Sequence, residues 1–254
     1  MCAIQTVVGV HHCTWTKNGS WQPEGDFCRL YLATVADKYP VPNIADFVHN
    51  LEGCCIFSTL DLRSCYLQVP WDPEAIPKMA LITSFGLLEF LCMPFGLKNA
   101  GMSFQRMMDR LLQGVPFAFC LIDDILVASK DMETHIQHLQ EIFELLRTGC
   151  LVLNLEKCCF ARSEVDFLGQ VISASGLRPL PSKVSAIQQH SLPVTVKDMQ
   201  QLLGMLNFYR KFIPAAAQLL WPLTDCLSCV PAGSAVVSLT DPVCCGQGKF
   251  GRRC

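Results

Sequence analysis

The 254-residue sequence lacks a basic excess: 20 Lys and Arg stand against 22 Asp and Glu, for a formal net charge of −2. A global electrostatic grip on nucleic acid is thereby excluded, so an anionic ligand must be held by local charges or by metal. No apolar run approaches the ~18 residues of a membrane span, and no membrane partner is expected. The start, MCAIQTVVGV, has no basic stretch ahead of an apolar one, which argues against a secretory leader. Internal repeats are absent. The 16 cysteines are scattered, mostly in apolar stretches, without the layout of a disulfide framework. They read as reduced core thiols, and the chain as intracellular, cytoplasmic or nuclear. Cys226 and Cys229 form a C-x-x-C followed by Cys244, Cys245 and Cys254. The spacing is poor for zinc and no histidine follows, so a zinc-binding tail is the weakest of the readings.

What is present is a core. Apolar residues make up 51% of the chain, enough for one large domain or two to three small ones. KNGSWQPEGD carries Asn-Gly and Pro punctuation and reads as a hairpin turn and loop. KYPVPNI must be extended, because each proline biases its predecessor away from helix. CCIFSTLDL (54–62) is strand-like. Phe104, Met107, Met108 and Leu111 fall at helical spacing. PFAFCLI and ILVAS read as two strands of a hairpin. Ile136, Leu139, Phe143 and Leu146 form the apolar stripe of a further helix, and EVDFLGQVIS reads as a strand. The order from 54 to 173 is strand, helix, strand, strand, helix, strand, the split βαβ, ferredoxin-like pattern, with a long insertion at 67–97. A small helical unit follows. Pro181 suits a first helical turn. Thr195 and Asp198 form a capping box ahead of the stripe Met199, Leu202, Leu203, Leu206, and Pro214 marks its end.

The chemistry concentrates in CLIDDILVAS (120–129), where Asp123 and Asp124 interrupt an apolar stretch. An Asp pair in a turn is by itself ordinary turn chemistry. The predicted topology gives it more weight. In a ferredoxin-like sheet the first and third strands are antiparallel neighbours, so Asp61, near the end of the first, meets the start of the third. Two unit charges ~4 Å apart repel by about 4 kcal/mol at an effective dielectric near 20. Either a proton or a cation must therefore sit among them. Hard oxygen ligands select Mg²⁺ or Mn²⁺, and two such ions suit in-line phosphoryl displacement.

Five ordered blocks carry a family resemblance: FSTLDLRSCYLQV, PKMALITSFGLLEFLCMPFGLKNAGMSFQRMMD, LIDDILVASKDMETHIQHL, VDFLGQVIS and LLGMLNFYRKFIPAAA. Together they resemble the reverse transcriptases of gypsy-type long-terminal-repeat retrotransposons and kindred retroelements, over roughly residues 15 to 226. The resemblance implies an α+β, right-hand polymerase with a ferredoxin-like βαββαβ palm and a small helical thumb. Its fingers would be 15–55 and 67–97, its palm 56–66 and 98–180, its thumb 181–226. A divergent segment, 1–14, would precede them, and a divergent, disordered tail, 227–254, would follow.

By resemblance, Asp61, Asp123 and Asp124 are the catalytic acids holding two Mg²⁺, with Mn²⁺ as substitute. Tyr66 lies under the incoming sugar and excludes a 2′-hydroxyl. Phe95 and Gly96 of the PFG turn, with Lys17 and Arg29 of the fingers, face the nucleotide. Leu121, the Phe167-Leu168-Gly169 primer-grip region, and Lys197, Arg210 and Lys211 contact primer or template. The implied partners are an RNA or DNA template with its primer and deoxynucleoside triphosphates. Four positions depart from the family pattern: Leu121 replaces a usual Tyr, Gln22 an Arg, Tyr31 an Asn, and Cys65 a Gly. With the unusual ends, these make the chain resemble a truncated, partly degenerate copy. Two functions follow: an RNA-directed DNA polymerase, or a non-catalytic relic that at most binds template-primer.

Overall fold

The computed structural model describes residues 12–15, 21–83 and 86–228. Lys17 and the tail cysteines from Cys229 onward lie outside the described residues. Strands β1 (His12–Trp15) and β2 (Trp21–Glu24) pair antiparallel. Short helices α1 (Cys28–Ala33) and α2 (Ile44–Phe47) follow, joined by the extended segment that Pro40 and Pro42 demand.

Strand β3 (Ile56–Asp61) opens the central sheet. The insertion after it holds a small hairpin, β4 (Leu81–Thr83) with β5 (Gly86–Leu88), whose Ile82, Leu87 and Leu88 are exposed, as is Leu91 beyond it. Helix α3 (Ala100–Leu111), strands β6 (Ala118–Leu121) and β7 (Asp124–Ser129), and helix α4 (Met132–Thr148) come next. Strand β8 (Cys159–Arg162) completes a four-stranded sheet of order β6-β7-β3-β8. Strand β3 runs antiparallel between β7 and β8, as the ferredoxin-like pattern requires. One core joins Leu60 of β3, Ile125 and Val127 of β7, Phe104 and Met108 of α3, and Ile142 and Leu146 of α4.

Three expectations are corrected. The strand beside β3 is β8, not EVDFLGQVIS. All four residues of β8 are exposed, so no apolar alternation marks it. EVDFLGQVIS instead bends at Leu168 and Gly169, both at positive φ, into β9 (Glu164–Phe167) and β10 (Gln170–Ser173). With β11 (Gly176–Pro179) these form a three-stranded sheet. The inward face of α4 is also rotated. Its buried residues are His135, Ile142 and Leu146, while Ile136 and Phe143 are exposed. His135 can turn inward because Ser58 Oγ and Ser129 Oγ bond its two ring nitrogens at 2.7 and 2.8 Å. Finally, Cys54, Cys65 and Cys120 are buried thiols, but Cys28, Cys55, Cys150 and Cys159 are exposed, because hydrophobic neighbours in sequence do not guarantee an inward face.

The chain divides into two compact units, residues through Leu168 with Ile172–Gly176, and Gly169–Val171 with everything from Leu177. In the second, α5 (Pro181–Gln188) starts on its proline. Helix α6 (Val196–Phe208) opens on the Thr195–Asp198 capping box, and α7 (Ala216–Ser228) packs on it through Met199, Leu203, Ala216 and Leu220. No helix among the described residues is long and apolar enough to cross a membrane.

Candidate active site

Asp61 ends β3, directly opposite Asp124, the first residue of β7. Its backbone is fixed from both sides. Leu62 N donates to Asp123 O at 3.2 Å, and Asn154 N donates to Asp61 O at 2.8 Å. Asp61 N donates to Cys158 Sγ at 3.4 Å. The loop so anchored delivers Lys157, whose Nζ lies 3.3 Å from Asp61 Oδ2. The other carboxylate oxygen, Oδ1, is buried without a hydrogen-bond partner. An unpartnered buried carboxylate oxygen is costly, and a cation is what would satisfy it.

Asp123 occupies the two-residue turn between β6 and β7, because Leu121 pairs with Asp124. Burial raises the Asp124 carboxyl above its ordinary range, and the charges of Asp123 and Asp61 raise it further, against the opposing pull of Lys157. The acids therefore feel one another, as the topology predicts. Among the described residues, however, no three His, Cys, Asp or Glu side chains form a ready metal cage. Mg²⁺ usually takes one or two carboxylates and completes its shell with water and substrate phosphate. The donor set is all oxygen, and the orphaned Asp61 Oδ1 offers a ligand.

Tyr66 follows in a 3₁₀ turn, Cys65–Gln68, entered through Ser64 at φ 48°. Its ring meets Phe95 edge-on at 5.4 Å and Phe104 at 5.7 Å. Burial raises its hydroxyl pKa, then Cys65 and Asp123. Cys65 sits in the core without positive φ, so glycine is not required there; the left-handed residue is its neighbour, Ser64. Burial, then the charge of Asp123, pushes the Cys65 thiol up to about 12. Phe95 and Gly96 lie in one turn, Gly96 at φ 87°.

The remaining expected residues are more dispersed. Arg29 is exposed on α1, and among the described residues no ion pair joins it to the acids. Phe167 is buried and meets Phe119 edge-on at 6.0 Å. Lys197, Arg210 and Lys211 are exposed in the second unit. There Tyr209 donates to Gly169 O at 3.4 Å.

Sequence reasoning missed Lys157 and Gln105. The side-chain oxygen of Gln105 accepts from Ile122 N at 2.7 Å, beside the acids. Lys157 lies in none of the blocks of the resemblance and Gln105 is one polar residue inside the second, and only the fold brings either to the acids.

The family model for reverse transcriptase (RNA-dependent DNA polymerase) matches residues 17–172. The chain belongs to the reverse transcriptase family. This reverse transcriptase domain is 42% identical over 202 residues to the retrovirus-related Pol polyprotein from transposon opus of Drosophila melanogaster, covering 79% of the chain and 20% of that protein. It is 38% identical over 204 residues to that from transposon 297 of the same organism, covering 80% and 19%. A Tf2-3 transposon polyprotein of Schizosaccharomyces pombe is 32% identical over 213 residues, 83% of the chain and 16% of that protein. The domain thus spans about a fifth of these curated relatives. Among solved structures, a foamy viral protease-reverse transcriptase with double-stranded DNA superposes with a TM-score of 0.79 at 23% identity, over 88% of this chain and 39% of that one. The same viral protein with an RNA/DNA hybrid gives 0.74, also at 23%, over 88% and 30%. These establish the polymerase fold, and the family whose model the domain matches is that of RNA-dependent DNA polymerases.

Proposed function

We propose that this domain extends a primer on an RNA or DNA template by two-metal phosphoryl transfer from deoxynucleoside triphosphates. The observation that carries the reading is Asp61, with one carboxylate oxygen orphaned and buried, set opposite Asp124 and beside Asp123. When bound, Mg²⁺ ions would activate the primer hydroxyl and stabilise the leaving pyrophosphate. The chain's own residues do the rest. Asp61, Asp123 and Asp124 would supply the oxygens that hold the ions, and Lys157 is the group that shares Asp61 Oδ2. Tyr66, braced by Phe95 and Phe104, forms the floor on which a deoxyribose fits and a 2′-hydroxyl clashes. Lys17, Arg29, Phe95 and Gly96 bind the incoming nucleotide.

Template and primer lie along Leu121 and Phe167–Gly169, with Lys197, Arg210 and Lys211 on phosphates. In this reading fingers are 15–55 and 67–97, palm 56–66 and 98–180, and thumb 181–226. The foamy viral structures, determined with double-stranded DNA and an RNA/DNA hybrid, support a template-primer as ligand, and the retroelement relatives support an intracellular setting.

Leu121, in place of the family's aromatic, favours a second reading, a weakened copy that binds template-primer without extending it. Primer extension on an RNA template with Mg²⁺ or Mn²⁺ separates the two. Extension that disappears in Asp123→Asn/Asp124→Asn supports the polymerase. Binding without extension, in protein that folds, supports the second reading.

A further inference from the structure

We propose that Gln105 is a positioning residue, whose side chain holds the Ile122–Asp123 turn in a backbone conformation its own residues disfavour and so sets where Asp123 and Asp124 stand. This rests on the reading of the acids as metal ligands. The pairing of Leu121 with Asp124 leaves only Ile122 and Asp123 to reverse the chain. Ile122 has φ 56°, while Asp123 is not at positive φ. Positive φ at the first central residue alone is the signature of a type II′ turn, which takes glycine there. A β-branched residue at positive φ is a true outlier, and such strain persists only where the surroundings over-determine it.

Gln105 is what over-determines it. It lies within α3, is 0% exposed, and is hydrogen-bonded at both ends of its amide. Its Oε1 accepts from Ile122 N at 2.7 Å; its Nε2 donates to Cys120 O at 3.1 Å and to Asp109 Oδ1 at 2.8 Å. The Asp109 carboxylate can only accept, so the amide's orientation is settled. Asp109 is held in turn by Tyr39, whose hydroxyl donates to Oδ2 at 2.7 Å. Tyr39 lies under Arg106, 4.6 Å from the ring, and Arg106 pairs with Asp37 at 2.5 Å. A braced chain of side chains thus runs from the segment before α2 to the peptide just ahead of Asp123. If residue 122 relaxed to negative φ, the peptide carrying Asp123 would rotate and the acids would leave Asp61.

The test uses Gln105→Leu, Ile122→Gly and the double variant in the full chain. The sign of φ at residue 122 is read by crystallography or by NMR couplings on labelled protein, and Mn²⁺ affinity by electron paramagnetic resonance. Gln105→Leu should take residue 122 out of positive φ and weaken Mn²⁺ binding at least ~tenfold, the scale on which partners of metal ligands act. Glycine adopts positive φ freely, so the double variant should recover the affinity of Ile122→Gly alone. Persistence of positive φ in Gln105→Leu overturns the proposal. So does a double variant no better than the single, which is what a merely structural role would give. If Gln105→Leu does not fold, Gln105→Met carries the same measurements. If the wild type binds no Mn²⁺, the metal reading fails, and the φ measurement still decides what Gln105 does.

Discussion

Asp61 has one oxygen held by a lysine and the other held by nothing. The Lys157 partner is 61% exposed, against 17% for Asp61, so the pair is weak, and its removal should leave the carboxylate freer for a metal. Lys157→Met is expected to tighten Mn²⁺ binding by no more than about fivefold, the ceiling set by an exposed pair of ~1 kcal/mol; weaker binding in a titration would contradict the competition. Asp124 makes a prediction of the opposite kind. Its carboxyl pKa is raised above 3.8, first by burial, so the folded chain holds that proton more tightly than the unfolded one. For this group, metal-free stability is greatest at low pH and falls as pH climbs from 3.8 through the raised value. Asp124→Asn should therefore raise the Tm of metal-free protein at pH 7 and flatten its acid-side slope, checked by calorimetry across pH. At this scale the acids were legible because charge is conspicuous in an apolar stretch. Gln105 was not, because inside the stripe from Phe104 to Met108 it looks like helix filler.

At the level of elements, the hairpin, the α3 stripe and the capping box could be read from spacing, since local sequence enforces each. What failed had a tertiary cause. Strand β8 has no inward residues to show; it is held instead by pairing with β3 and by Ala161 N donating to Ser58 Oγ at 2.9 Å. The face of α4 is chosen by two serines from other strands, Ser58 and Ser129, that make a histidine cheaper to bury than periodicity suggests. The rotation has a direct consequence for stability. Ile142→Ala should cost about 2–5 kcal/mol, as buried truncations do. Ile136→Ala, one of the sequence-predicted core positions, should stay within about 0.5 kcal/mol. Urea unfolding of the two variants side by side reads the difference; equal losses would restore the original stripe.

For the molecule as a whole, a net charge of −2 must be reconciled with the polyanionic template of the proposed function. In the proposed function local chemistry does so: three acids would hold cations in one unit, and Lys197, Arg210 and Lys211 are exposed in the other. The family was legible across both units because its blocks are ordered. The exposed tip of the insertion was not, because an apolar residue in sequence carries no mark of which face it takes. The β4–β5 hairpin turns Ile82, Leu87 and Leu88 to solvent. Such a surface is a liability in the test tube. Concentrated preparations of the isolated domain should be sticky, and Leu87→Lys/Leu88→Glu should raise the concentration at which light scattering first appears, with no loss of Tm. The hairpin thus decides how easily the protein is handled, and a practical route to crystals or spectra begins there, far in sequence from the acids.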